Sequence, residues 1–516
     1  MSMNKEFEHI PQEKFAFVQM DAQLHDKKLE TKARSFFQDA MLRFRKNKSS
    51  VVAAWILLFL ILFALIAPLV SPYDMNDKDN IYKSYPSYVP SVAKMNLGIM
   101  DGSTVHTNQN ERARLYWEGI AQETGMDPVL GIVGTEVTQV KKRGQMVDVT
   151  TYDLRINRYF ETGVVYRKLS YDKFEALMQW QNETGIQVVY PWVELKDIQD
   201  LADSPNIWYK VDSKGQAILD DKGSFQPVYS TRKEIEGMPY DSLRIPGDDG
   251  SYIYSRKIDG AVEFRACYYN LYRYQNAGIE PTYVLGTTAS GQDLFSAIGI
   301  GARFSLIFAL VISVINMMIG AAYGAVQGYY GGAVDMTLDR ITDILSGVPF
   351  IVVATLFQKH LVATRIIESQ MVGLLFAFVL TGWIGMAALT RKQFYRFKSQ
   401  EFVMAARTLG ASDKRLILKH IFPNAIGTII TSCALIIPGT IRSETSMTYL
   451  GIVNLQKDAG GATIGSLLSE GNAAVTTAPH VMLWPSLFLG LLMICFNLFG
   501  NGLRDAFNPS TRGAED

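Results

Sequence analysis

The chain has 516 residues, equal numbers of acidic and basic side chains, and 48% hydrophobic residues. Zero formal charge gives no electrostatic ground for a nucleic-acid partner. Its three cysteines, Cys267, Cys433 and Cys495, and the lack of any Cys/His cluster at metal-ligand spacing argue against a disulfide framework and a structural zinc site.

Residues 1–50 read as a cytoplasmic tail. From about Leu24 to Lys48 this tail is amphipathic, with Phe36, Phe37, Met41 and Phe44 spaced for one helical face and Lys32, Arg34 and Arg43 elsewhere. Such a segment suits a helix lying on a membrane surface, an interfacial elbow. The run VVAAWILLFLILFALIAPLV follows over 51–70 without a charge. About 20 apolar residues span the hydrocarbon core. The run starts too late and runs too long for a cleaved secretory signal, so it reads as a retained span. Arg43, Arg45, Lys46 and Lys48 just before it put the N-terminus in the cytoplasm.

Residues 71–284 are polar and hold no run long enough to span, so they form an inserted extracellular domain. SYDKFEALMQWQNETG over 170–185 predicts a helix that Ser170 caps and Gly185 ends. IQVVYPWV, the stretch 207–230 and EFRACYYNLYRYQN over 263–276 predict strands, giving an α+β domain. The pairs Asp220–Asp221 and Asp248–Asp249 sit beside glycines and read as turns rather than as calcium or catalytic sites. The many tyrosines either form a binding face or fill strands, and strand packing is the preferred reading. No nucleophile elbow, zinc-protease helix or phosphate-binding glycine loop occurs, so no catalytic residue is expected.

Residues 285–509 carry the remaining apolar runs, near 302–328, 344–360, 370–390, 424–441 and 481–500. Those at 344–360 and 424–441 are weaker and contain Pro349 and Pro438. Proline is tolerated where neighbouring helices satisfy the freed carbonyl, and a re-entrant or buried helix is the other reading of each. Counting all of them gives an α-helical polytopic membrane protein with six spans. The even count returns the chain to the cytoplasm at 391–423, and its many lysines and arginines agree. Residues 510–516 are then a cytoplasmic tail. Gly320 and Gly324 stand four residues apart and allow close helix approach. Asn316, Gln327 and Asn497 are polar within or near spans; they either face a substrate pathway or bond between helices.

The cytoplasmic segment SQEFVMAARTLGASDKRLILKHIFPN over 399–424 has a folded grammar of its own. Glu401 to Leu409 suits a helix, with Ala405 and Ala406 leaving a bare patch. Gly410 suits a left-handed helix end. Ser412 can cap a second helix over Lys414–Phe422, and Pro423 can open the next span.

MAARTLG followed by HIFP resembles the cytoplasmic loop of bacterial ABC importer permeases, whose pattern is Glu-Ala-Ala, three residues, Gly, nine residues, Ile-x-Leu-Pro. Ala405, Ala406, Gly410 and Pro423 match, whereas Met404 replaces the glutamate, His420 the isoleucine and Phe422 the leucine. LGTTASGQDLFSAIGIGARFSL (285–306), GYYGGAVDMTLDRITDILSGVPFIVVA (328–354), SETSMTYLGIV (443–453) and FNLFGNGLRDAFNP (496–509) are similar, in order, to segments of the oligopeptide/dipeptide permease group, of the OppC or DppC type. The 200 or so residues inserted after the first span depart from that group. The resemblance implies the type I ABC importer permease fold and a bacterial cell-membrane location. It implies a second, homologous permease subunit, two cytoplasmic ATPase subunits that use ATP and Mg, an extracellular substrate-binding protein and a peptide substrate. Nothing in it gives this chain a cofactor or metal of its own. The loop residues Glu401, Met404, Ala405, Ala406, Arg407, Gly410, Ser412 and Pro423 would contact an ATPase, with Glu401 standing in for the missing acid at 404. A different cargo such as nickel or another small solute is the alternative within the class. A membrane-anchored extracellular enzyme or sensor is the alternative outside it.

Overall fold

The computed structural model describes residues 36–73, 82–142, 145–192 and 253–507. In chain order the elements are α1 (Phe36–Lys46), α2 (Lys48–Val70), α3 (Pro90–Ala93), β1 (Ser103–Asn110), α4 (Glu111–Thr124), β2 (Val129–Lys142), β3 (Gln145–Asn157) and β4 (Val164–Leu169). There follow α5 (Tyr171–Thr184), β5 (Val189–Tyr190), β6 (Ser255–Ile258), β7 (Ala261–Cys267), α6 (Tyr268–Gln275), α7 (Leu294–Tyr330), α8 (Gly332–Ser346) and α9 (Phe350–Phe357). After α10 (Gln370–Thr381) come α11 (Ile384–Lys398), α12 (Glu401–Thr408), α13 (Asp413–Arg415), α14 (Phe422–Tyr449), α15 (Gln456–Ala459), α16 (Ile464–Ala473) and α17 (Pro479–Phe507).

Among the described residues, five helical stretches are long and apolar enough to cross a membrane: Lys48–Val70, Leu294–Tyr330, Gln370–Lys398, Asp413–Tyr449 and Pro479–Phe507. A sixth is reached if α8 and α9 count as one broken span, for they meet at 73°. The break replaces the single helix expected over 344–360. Pro349 is its cause: it stands in extended conformation just before α9, has no N–H to donate, and bars the preceding residue from helical backbone. Pro438, by contrast, lies inside α14 without ending it. That helix continues to Tyr449, so the start of SETSMTYLGIV is helical.

The elbow helix α1 buries Ala40 and Phe44, and the Phe44 ring meets Phe499 of α17 edge-on at 5.6 Å. Met41, expected on the same face, is exposed. Asn47 accepts the Ser50 N–H and starts α2.

The insertion is α+β. One antiparallel sheet has strand order β1-β3-β2, and a second has β4-β7-β5 with β6 also paired to β7. Helix α4 covers the first sheet, burying Trp117 and Ile120 on Leu154 and Ile156. Helix α5 covers the second, where Leu177 joins Phe264 in a buried core. Gly185 ends α5 at φ +69 as expected, but Ser170 makes no side-chain capping bond. The stretch 263–276 is half strand and half helix. Tyr268, Tyr269, Leu271 and Tyr272 are all buried on α6, so packing overrides the strand preference of their aromatic side chains. Among the described residues, Tyr82, Tyr85, Tyr88, Tyr159, Tyr272 and Tyr283 are buried in one cluster, a packing role. Cys267 is a free, buried thiol whose ionisation burial pushes up to about 12. The strands expected over 207–230 and both aspartate pairs lie outside the described residues.

The insertion joins the helices through a stem. Tyr88 and Tyr283 exchange two backbone hydrogen bonds of 2.8 Å, and Tyr73 stacks on Tyr283 at 4.6 Å. Ser71 Oγ donates to Asp293, which in turn caps α7 by accepting the Phe295 and Ser296 N–H groups.

Helix α7 is the axis of the bundle. Gly320, Gly324 and Gly328 present bare backbone to α11, where a Cβ on each would fall 2.6, 2.2 and 2.7 Å from the carbonyl oxygens of Trp383, Ala387 and Arg391. The sequence marks the first two of these; the third continues the same stripe.

Candidate functional site: the folded loop between α11 and α14

Helix α11 runs to Lys398, so the basic residues from Arg391 onward continue the same helix as its apolar start. After a two-residue break α12 begins. Its end is a complete left-handed closure: Gly410 has φ +82, its N–H donates to Arg407 O (3.0 Å), and the Ala411 N–H donates to Ala406 O (3.1 Å). This pairing of bonds is the Schellman arrangement, which satisfies carbonyls that a helix end would otherwise leave bare. Ser412 is extended and makes no capping bond. The second helix expected over 414–422 is instead the short α13 followed by a π turn over Leu416–Ile421, which runs directly into α14 with Pro423 in its first turn.

The underside of the loop is anchored. Val403, Leu416, Ile421 and Ala425 are fully buried against Phe394 and Tyr329. The Tyr329 hydroxyl, at the end of α7, donates to Asp413 Oδ1. Arg407 reaches the same hydroxyl at 3.5 Å, and Lys398 lies over the Tyr329 ring at 5.7 Å. The opposite surface is open. Leu409 is 88% and Met404 52% exposed, with Phe402 and Leu418 also exposed. Glu401 is exposed one turn before Met404, on the same helical side. Ala405 is exposed, whereas Ala406 is half-buried, so the alanine patch is narrower than the sequence suggests.

Beside the loop stands a polar network that sequence reasoning did not find. Arg391 donates to Asp335 (2.6 Å) and Asp339 (2.8 Å) of α8, and Tyr395 donates to Asp335. The only sequence signal is the pair of aspartates four residues apart opposite an Arg–Tyr pair at the same spacing. Gln327 joins this network through Asp339 at 3.2 Å, and Asn316 is buried with its amide directed at Phe378 O (3.5 Å). Asn497 is exposed on α17. A buried carboxylate, Glu444, was also missed; it is 0% exposed and accepts from Ser305 Oγ at 2.7 Å. Among the described residues no group of three or more His, Cys, Asp or Glu is placed to hold a metal.

Comparison with known proteins bears on these features. The family described as binding-protein-dependent transport system inner membrane component matches residues 317–513, which include the loop and its anchors. The N-terminal transmembrane domain of oligopeptide transport permease C matches residues 35–89. The oligopeptide transport system permease protein OppC of Bacillus subtilis is 35% identical over 227 residues, 44% of this chain and 72% of that protein. The chain belongs to the binding-protein-dependent transport permeases, in the oligopeptide/dipeptide group.

The dipeptide transport system permease protein DppC of Lactococcus lactis is 34% identical to this permease over 247 residues, 48% of this chain and 69% of that protein. An inward-facing structure of the MetNI methionine ABC transporter overlaps 40% of the permease and 94% of its own chain at 15% identity, with a TM-score of 0.32; so slight a likeness carries no argument. The first matched segment ends at Val89, beside the Tyr88–Tyr283 pair that closes the stem. Both sheets and α3–α6 therefore fall between the two matched segments.

Proposed function

We propose that this chain is the membrane-spanning subunit of an ATP-driven peptide importer and that the loop over 399–423 is its contact with a cytoplasmic ATPase. The observation that carries the reading is the loop's two-sided character. Its underside is locked into the bundle by buried side chains and the Schellman closure, while its free side leaves Phe402, Met404, Leu409 and Leu418 uncovered. Exposed apolar side chains on a rigid support suit docking to a partner. Relatives named as oligopeptide and dipeptide permeases supply the peptide cargo. The chain itself does no chemistry in this reading. Two ATPase subunits bind ATP and Mg, a second, homologous permease completes the pathway, and a substrate-binding protein delivers the peptide. Six spans put both termini and the loop in the cytoplasm of a bacterial cell and the insertion outside, in agreement with the basic residues around α1 and α11.

Nothing crowds a Cβ at Gly410, so a substitution there acts through its backbone alone. A residue with a Cβ in left-handed conformation costs about 1–2 kcal/mol. Gly410→Val should reopen the α12 end and lower peptide uptake per ATP hydrolysed by roughly tenfold, since 1.4 kcal/mol is about one decade. Met404→Glu changes the docking surface only to the acid that the related permease pattern carries at this point, and should leave that ratio unchanged. Full coupling in the Gly410 variant, measured in proteoliposomes, would count against the docking role.

The insertion stands at the end of the bundle opposite the loop, and we assign it the reception or shielding of the substrate-binding protein. The Tyr88–Tyr283 bonds hold its two ends together, so residues 90–280 can be replaced by a short flexible linker. The shortened permease should still assemble with the ATPases but lose uptake at limiting binding-protein concentration. Unchanged uptake under those conditions would remove the assignment.

A further inference from the structure

Helices α7 and α14 run antiparallel, and side chains tie them at both ends. At the loop end, Tyr329 of α7 donates to Asp413, at the head of the helical stretch that becomes α14. At the insertion end, Ser305 of α7 donates to Glu444 of α14 at 2.7 Å. Between them the Cys433 thiol lies 3.5 Å from the Ser313 carbonyl. The Glu444 carboxyl is wholly buried and gathers hydroxyls from two helices. Its Oε2 takes Ser305 and, at 3.4 Å, Thr445; its Oε1 takes Thr448, also at 3.4 Å. Helix α16 seats its backbone on the same knot, where a Cβ on Gly465 would fall 2.5 Å from the Thr445 carbonyl oxygen.

An ionisable side chain inside a membrane bundle is costly and is retained for a task. Among the described residues the bonds of Glu444 are to hydroxyls. Its Oε2 makes the bond between α7 and α14, and Thr445 and Thr448 of its own helix hold the carboxyl in place for it beside α16. We infer that Glu444 is a positioning residue for coupling: with Asp413 at the other end it clamps α14 to α7, so that a displacement of the loop reaches the insertion end as one rigid-body movement. This rests on the transport reading above.

The test uses the complete transporter in proteoliposomes and reads labelled-peptide uptake and ATP hydrolysis in the same vesicles. Glu444→Gln keeps an oxygen for Ser305 and should stay within about twofold of the wild-type ratio of uptake to hydrolysis. Glu444→Ala and Ser305→Ala should each lower that ratio at least fivefold while hydrolysis continues. The double variant should be no worse than the poorer single one, because residues sharing one interaction are not additive. A merely structural role would reduce the amount of assembled complex and leave the ratio alone. An unchanged ratio in Glu444→Ala, or hydrolysis and uptake falling in proportion, overturns the inference. Should Glu444→Ala fail to assemble, Ser305→Ala decides by the same criterion. Absence of ATP-driven uptake in the wild type would instead refute the transport reading.

Discussion

Gly324→Leu is expected to remove the folded permease from the membrane almost completely. A Cβ at this position would stand 2.2 Å from the Ala387 carbonyl oxygen and 2.9 Å from Thr390 Cβ, and the nearest of these atoms is backbone that cannot swing aside. Gly320 one turn before and Gly328 one turn after are in the same position, so α7 and α11 touch along two helical turns with nothing between their backbones. Separating them at the centre would loosen both flanks and pull Arg391 away from Asp335 and Asp339. Overpacking a tight interior costs about 1–3 kcal/mol when side chains can adjust, and more where they cannot. Gly324→Ala should already lower the melting temperature of the purified protein. Gly439→Ala is the matched control, because nothing lies within 4 Å of a Cβ there, and alanine is about 1 kcal/mol better than glycine in a helix. Equal thermal stability of the two alanine variants would show that α7 and α11 do not meet in this way.

The second large effect concerns the insertion. Arg265 on β7 lies beneath the surface with 0% of its side chain exposed and forms a fork onto Glu123 of α4, with bonds of 2.8 and 2.7 Å to the two carboxylate oxygens. One of its nitrogens also donates to Pro191 O. The pair joins the helix covering the first sheet to a strand of the second. Arg265→Ala removes both fork bonds from a carboxylate that is 3% exposed, and breaking such a pair costs about 3–5 kcal/mol. That is a large share of the roughly 5–15 kcal/mol that holds a domain together. The variant should be cut rapidly within the insertion by a protease that spares the wild type. Arg265→Lys should rescue little, because an ammonium cannot make the fork. Replacing both partners with apolar residues, Arg265→Met with Glu123→Leu, should restore much of the resistance. Failure of the double replacement to outperform Arg265→Ala would mean that the pair does not carry the junction.

The spans were legible because crossing a bilayer demands about 20 apolar residues in a row, a signal that needs no partner to be seen. Local backbone requirements were equally plain: Gly185 and Gly410 sit in left-handed conformation where a helix has to end. Pro349 was visible, but its consequence, a sharp bend between α8 and α9, depends on where the two flanking helices find their contacts. What stayed hidden was pairwise and distant. Asp335 and Arg391, Ser305 and Glu444, Glu123 and Arg265 meet across long separations and leave no periodic mark on the chain. The run Tyr268–Gln275 misled for the opposite reason. Its residues favour strands individually, but burying Tyr268, Tyr269 and Tyr272 together against the tyrosine core requires a helical face. Within the loop, the helix, its glycine end and the proline entry were readable. The merging of its second helix into α14, and the anchor on Tyr329, were not.

If the loop over 399–423 docks a nucleotide-hydrolysing partner and this contact drives peptide across the membrane, partner and transport should be recovered together. The most direct measurement is affinity purification of the tagged chain from its native membrane, followed by reconstitution with a labelled peptide pool. Recovery of ATPase subunits together with uptake that requires ATP is the predicted result. A chain that purifies folded but without any ATPase, and vesicles whose uptake ignores ATP, would contradict it.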